Sequence, residues 1–110
     1  MGPLRAIEGG RGQRNASAEA QAVTAGFLAE HCRGDADALF NLAIAFATGS
    51  AGLSADFVEA HRWFNIAAAN GHPLAASARA DIAEEMTARE IADAQRLARE
   101  WLRRSRRQAA

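Results

Sequence analysis

The sequence contains no lysine and no tyrosine, one cysteine and two valines. Each scarcity excludes something. Cys32 alone cannot close an intrachain disulfide, which rules out a small cysteine-stapled secreted domain. No apolar run approaches the roughly 18 residues of a membrane span. Without lysine there is no Gly-x-x-x-x-Gly-Lys phosphate loop, and Gly9-Gly10-Arg11-Gly12 has no strand before it. Two valines, two tryptophans and five phenylalanines are too few β-enriched residues for a β-sandwich or barrel.

What the chain does have is alanine and arginine. Of its 110 residues 29 are Ala, and all thirteen basic residues are Arg, balanced by thirteen acidic ones. Alanine is the best helix former, so an all-α chain of about one domain is predicted. The charges are segregated. Residues 35–70 carry Asp35, Asp37, Asp56 and Glu59 against Arg62, whereas residues 103–110 carry four arginines and no acid. Met1 to Asn15 holds four Gly, one Pro and three Arg, with only Leu4 and Ile7 as large apolar residues. Such a stretch cannot offset its ordering entropy and reads as a flexible segment, residues 1–15. It also lacks the apolar core of a secretory signal, so a cytoplasmic, reducing location is expected.

Helix signals follow in order. Residues 17–33 are helical with Val23, Phe27 and Leu28 on one stripe, stopped by Gly34. A second helix, from Asp35 to Thr48, is apolar nearly all round and ends at Gly49. Asp56 with Glu59 forms an Asp-led capping box for a third helix, running to Asn70 and Gly71. Its inward stripe is read as Phe57, Ala60, Trp63, Phe64, Ala67 and Ala68, with Val58, His61, Arg62 and Asn65 outward. His72-Pro73 opens a fourth helix carrying Leu74, Ala75, Ala78, Ile82 and Met86. Thr87 and Glu90 box the start of a fifth, with Ile91, Ala94, Ala98, Trp101 and Leu102 inward, ending near Arg104. Residues 105–110 are then a basic flexible tail.

These helices pair and repeat. Gly34-Asp-Ala-Asp-Ala38 recurs as Gly71-His-Pro-Leu-Ala75 at an offset of 37, each followed by a helix, a break and a capped second helix. A period slightly above the roughly 34 of tetratricopeptide units predicts an α-solenoid of antiparallel helical hairpins, with the first helix as a cap.

Residues 36–71 resemble the Sel1-like repeat, a relative of the tetratricopeptide repeat. The resemblance rests on Ala36, Ala38, Phe40, Leu42, Ala43, Phe46, Gly49, Gly52, Leu53, Asp56, Ala60, Trp63, Phe64, Ala67, Ala68 and Gly71. Ala43 stands where that family usually has Gly, and the Gly49–Gly52 loop has one extra residue. The Met86–Trp101 segment is similar to the way many bacterial members end. The Sel1-like domain is therefore placed at 16–104, with a clean unit at 35–71 and a degenerate one at 72–104. Stacked units normally need about three to cover one another, so flanking helices, a partner or self-association must supply the missing cover.

No chemistry competes with that reading. His31, Cys32, His61 and His72 lack metal-ligand spacing and read as surface histidines and an ordinary thiol. Cys32 near a helix C-terminus gains no thiolate stabilisation. There is no nucleophile elbow, and no catalytic residue, metal or cofactor is expected. The resemblance implies a non-catalytic interaction module or adaptor that binds a protein or peptide in a helical groove. Helical spacing assigns Asn41, Ala45, Thr48 and Arg79 to that groove. The alternative is anionic-surface or nucleic-acid binding through Arg103, Arg104, Arg106 and Arg107. Four charges without interleaved aromatics are a weak signal for it, and a helix C-terminus favours cations in any case.

Overall fold

The computed structural model describes residues 18–32 and 36–109. Among them are five α-helices and no strand: α1 (Ala18–Cys32), α2 (Asp37–Thr48), α3 (Phe57–Ala69), α4 (Ala75–Ala83) and α5 (Ala88–Ala109). The expected all-α hairpin architecture is present. Helix α1 packs on α2, α2 on α3, and α3 on both α4 and α5. The stop at Gly34, and the readings of residues 1–15 and of the His31 and Cys32 side chains, lie outside the described residues.

The helix boundaries follow from local chemistry. Gly49 ends α2 in the left-handed region at φ 73°, and its N–H donates to Ala45 O. The loop folds back under itself: Leu53 is buried within it, and the Asp56 N–H reaches Phe46 O at 2.9 Å. Asp56 then caps α3, its Oδ1 accepting from the N–H groups of Val58 (3.0 Å) and Glu59 (3.2 Å). At the far end Gly71, at φ 90°, donates to Ala68 O while the His72 N–H donates to Ala67 O, a Schellman arrangement. Thr87 and Glu90 make the reciprocal capping box: Glu90 N–H to Thr87 Oγ1 at 3.1 Å, and Thr87 N–H to Glu90 Oε1 at 2.9 Å.

The core runs along α2 and α3. Leu39, Leu42, Ala43 and Phe46 meet Ala60, Trp63, Phe64, Ile66 and Ala67, with Ala75 and Ala98 closing in from α4 and α5. Small side chains sit where backbones approach: Ala94 and Ala98 have no exposed surface, which lets α5 lie close to α3. Trp101 there meets Trp63 edge-on, centroids 5.5 Å apart at 75°.

Five expectations need correction. Val58 and His61 are buried, not outward, because α3 has neighbours on more than one side; His61 is only 3% exposed. Phe57, read as inward, is 37% exposed at the first turn of α3, and Leu74, ahead of α4, is 60% exposed. Glu59 does not complete a capping box. Its carboxylate accepts from Arg62 (3.1 and 3.3 Å) and from Trp63 Nε1–H (3.1 Å), while the Asp56 N–H goes to Phe46. Pro73 lies in the turn before α4, whose first residue is Ala75. Helix α5 continues past Arg104 to Ala109, carrying the four clustered arginines as helix.

Candidate partner-binding face

Helix α2 has three sides accounted for by the core, by α1 and by the start of α4. What remains is a stripe. Asp37, Asn41, Ile44 and Thr48, spaced four, three and four residues apart, are all exposed, and helical periodicity puts them on one face. Ile44 stands 38% exposed. Thr48 holds the end of the stripe, its Oγ1–H donating to Ile44 O at 2.9 Å with Ser50 Oγ 2.8 Å away.

His72 seats the two first helices side by side. Its ring stacks on Phe40 at 4.1 Å with planes 3° apart, and Phe40 in turn tilts against Phe64 at 5.4 Å. Nδ1 accepts the Leu74 N–H at 3.1 Å, so the proton of the neutral ring is on Nε2, which lies 3.0 Å from Asp37 Oδ1. Both ring nitrogens are thus committed to holding the entry of α4 against the entry of α2.

A second polar group joins α3 to α4. Arg79 donates to Asn65 Oδ1 at 2.8 Å. Beside it His61 is held below its ordinary pKa, first by burial and then by the Arg79 charge, so its ring is neutral near pH 7. His61 Nδ1 is buried without a hydrogen-bond partner. On the neighbouring turn the Arg62 guanidinium lies 4.7 Å from the Trp63 ring centroid while paired with Glu59. That cluster clamps Trp63 in place and leaves no open site.

The four groove residues read from spacing therefore separate. Asn41 and Thr48 share the exposed stripe. Ala45 is 3% exposed and faces the core, one residue out of register with the open face. Arg79 is half-buried and engaged with Asn65. Ile44 was missed, although its spacing from Asn41 and Thr48 (i+3 and i−4) is visible in the sequence. Among the described residues no group of three or more His, Cys, Asp or Glu side chains could hold a metal ion, and no helix is long and apolar enough to cross a membrane.

Hairpins laid side by side around small residues, with an aromatic pair filling the wider gap, define a tetratricopeptide-like α-solenoid. A family model, the Sel1 repeat, matches residues 36–72 and 91–109, and the chain belongs to this family. The first match contains every repeat-defining residue from Ala38 to Gly71; the second lies within α5. No curated protein and no solved structure matches the chain significantly. Sel1 repeats generally mediate protein–protein interaction, and the family is typically a non-catalytic interaction module.

Proposed function

We propose that this chain is a non-catalytic adaptor that holds a segment of a protein partner along the outward stripe of α2. The observation supporting the reading is the stripe itself. A large aliphatic side chain, Ile44, stands in solvent between two hydrogen-bonding side chains, Asn41 and Thr48, on a helix whose Leu39, Leu42 and Phe46 are all buried. An apolar anchor rimmed by polar groups is the usual anatomy of a recognition patch. The patch lies on a frame fixed by the Phe40–His72 stack and the Asp37–His72 contact, so it is presented without an ordering cost on binding. The single cysteine suits work in a reducing compartment.

The test is affinity capture from the native host with the wild-type chain, Ile44→Asp and Asn41→Ala. These residues are exposed, so helicity and melting temperature are expected to stay unchanged. A specific protein retained by wild type and lost with Ile44→Asp supports the reading. Identical captured sets for all three chains would refute the α2 stripe as the binding face.

A further inference from the structure

Helix α5 carries seven of the thirteen arginines, against three carboxylates. Arg89, Arg96, Arg99, Arg103 and Arg106 are all exposed and, at 100° per residue, fall within an arc of about 100° on its outward side. Arg104 and Arg107 flank the last two. The helix dipole accounts for Arg106 and Arg107 in the last turn, but not for Arg96 and Arg99 at mid-helix. It opposes Arg89 in the first turn. Arg96 is shared between Asp93 (3.9 Å) and Glu100 (3.4 Å); the other arginines of α5 make no ion pair among the described residues.

The opposite charge sits at the other end of the same rod. Asp81, Glu84 and Glu85, all exposed, occupy the last turn of α4 and the turn into α5. Carboxylates at a helix C-terminus are unfavourable, α4 has no basic residue in its last turn, and no ion pair involves these three among the described residues. The 22 residues of α5 span about 33 Å, several Debye lengths at physiological salt, so Arg103 to Arg107 at its far end and this acidic corner do not neutralise each other within one chain.

From this placement we infer that α5 pairs antiparallel with the α5 of a second copy of this chain, the arginine end of one protomer lying against the acidic corner of its partner. A two-fold axis near Gln95 makes the contact twice, as an isologous dimer requires, and Arg96, which it sets beside its own copy, keeps Asp93 and Glu100 as neighbours that offset the like charge. It brings Arg103 to Arg107 of each protomer level with Glu84 and Glu85 of the other. Charge decides among occupants. The whole chain is neutral with a pI near 6.8, and outside α5 it carries ten carboxylates against six arginines. That surface repels a nucleic acid and attracts a basic helix. A lipid surface is disfavoured because Ala94 and Ala98 are buried and Ile91, Trp101 and Leu102 half-buried, leaving little for an acyl layer. This face is separate from the α2 stripe, and Ile44→Asp leaves the pairing unchanged.

Sedimentation velocity on the full chain tests it, at about 20 mM and about 0.5 M salt, with association expected to weaken roughly tenfold or more across that range. The wild type is expected to sediment as twice its 11.7 kDa at low salt and as a monomer at high salt. R103E/R104E/R106E/R107E is a monomer at low salt, and so is D81R/E84R/E85R. An equal mixture of the two dimerises again, because both contacts of the heterodimer pair opposite charges. Circular dichroism checks that each variant stays helical; single changes, Arg104→Glu and Glu84→Arg, replace any that does not. A wild-type monomer at every salt, or a mixture that stays monomeric, overturns the inference. So does a wild-type monomer that binds a labelled RNA duplex or phosphatidylserine vesicles through Arg103–Arg107, which assigns the face to a polyanion.

Discussion

Truncating Trp63 is the most direct test of how this hairpin is held together. The indole is 2% exposed, meets Trp101 edge-on, lies under the Arg62 guanidinium and donates Nε1–H to Glu59. A buried tryptophan removes about 150–250 Å² from water, worth about 4–6 kcal/mol at about 25 cal/mol per Å² as an upper bound. Measured large-to-small aromatic truncations cost about 3–5 kcal/mol. Trp63→Ala is therefore expected to lose about 3–5 kcal/mol, much of what a small domain has. At roughly 4–8 °C per kcal/mol for a domain of this size, thermal unfolding followed by far-ultraviolet dichroism should shift down by about 15 °C or more. The edge contact can be isolated. A double-mutant cycle with Trp63→Phe and Trp101→Phe should return a coupling of about 0.5–1.5 kcal/mol. A Trp63→Ala melt within about 5 °C of wild type would show that α3 and α5 are not held by this pair, and the packing argument would fail with it.

Asp56→Ala leaves the Val58 and Glu59 N–H groups without their acceptor and should cost about 1 kcal/mol in chemical denaturation; an unchanged midpoint would mean that solvent replaces the cap. Gly49→Ala should cost more than Gly71→Ala. Both glycines have positive φ, about 1 kcal/mol of strain for a residue with a Cβ, but only at 49 does the added Cβ meet a backbone atom, Ala55 N at 3.2 Å. Equal losses would refute that contact. His61 is depressed below its ordinary pKa of 6.5, so between its folded value and 6.5 the unfolded chain binds more protons. Stability should accordingly rise with pH through that window, and the contribution of this ring should level off on either side of it. The His61→Leu chain should show a flatter melting temperature as pH falls below 6.5. A wild-type slope in the variant would count against the buried neutral ring.

Much of this architecture is legible from spacing alone, because the signals involved are local. Asp56, Gly49, Gly71 and the Thr87–Glu90 box each satisfy or release backbone groups within a few residues of themselves, so neighbours in sequence suffice to read them. The errors arise where a neighbour distant in sequence intervenes. A helical wheel assumes one buried face, and on that assumption Val58 and His61 point to water; α3 is packed against α2, α4 and α5, and both are buried. Glu59 has the position of a capping-box partner, yet the buried Trp63 indole, one turn on, needs an acceptor, and Glu59 is within reach. On α2, Ala45 and Ile44 differ by one residue and about 100° of rotation, enough to exchange a core position for an exposed one. The arginine stripe of α5 is visible as Arg89, Arg96, Arg99, Arg103 and Arg106, but the run of four arginines near the end draws the eye from the longer period.

The distribution of burial also dictates which part of the chain opens first. Nearly every fully buried side chain belongs to α2, α3 or the loop between them; α4 contributes Ala75 and α5 contributes Ala94 and Ala98. Helix α1 has none among its described side chains, and the apolar residues it packs with, Ala20, Val23, Phe27 and Leu28, are half-buried. A repeat protein is held by nearest-neighbour interfaces, so an outer helix with one weak interface can separate without unfolding the rest. Amide hydrogen exchange should therefore find α1 protected least and α3 most, with α5 between them because the Trp63–Trp101 contact anchors it near its middle. Val23→Ala should speed exchange in α1 while leaving α3 unaltered, since a cap that opens alone takes only its own interface with it. Exchange in α1 as slow as in α3 would mean that cap and hairpin unfold together, and the one-dimensional picture of this stack would have to be abandoned.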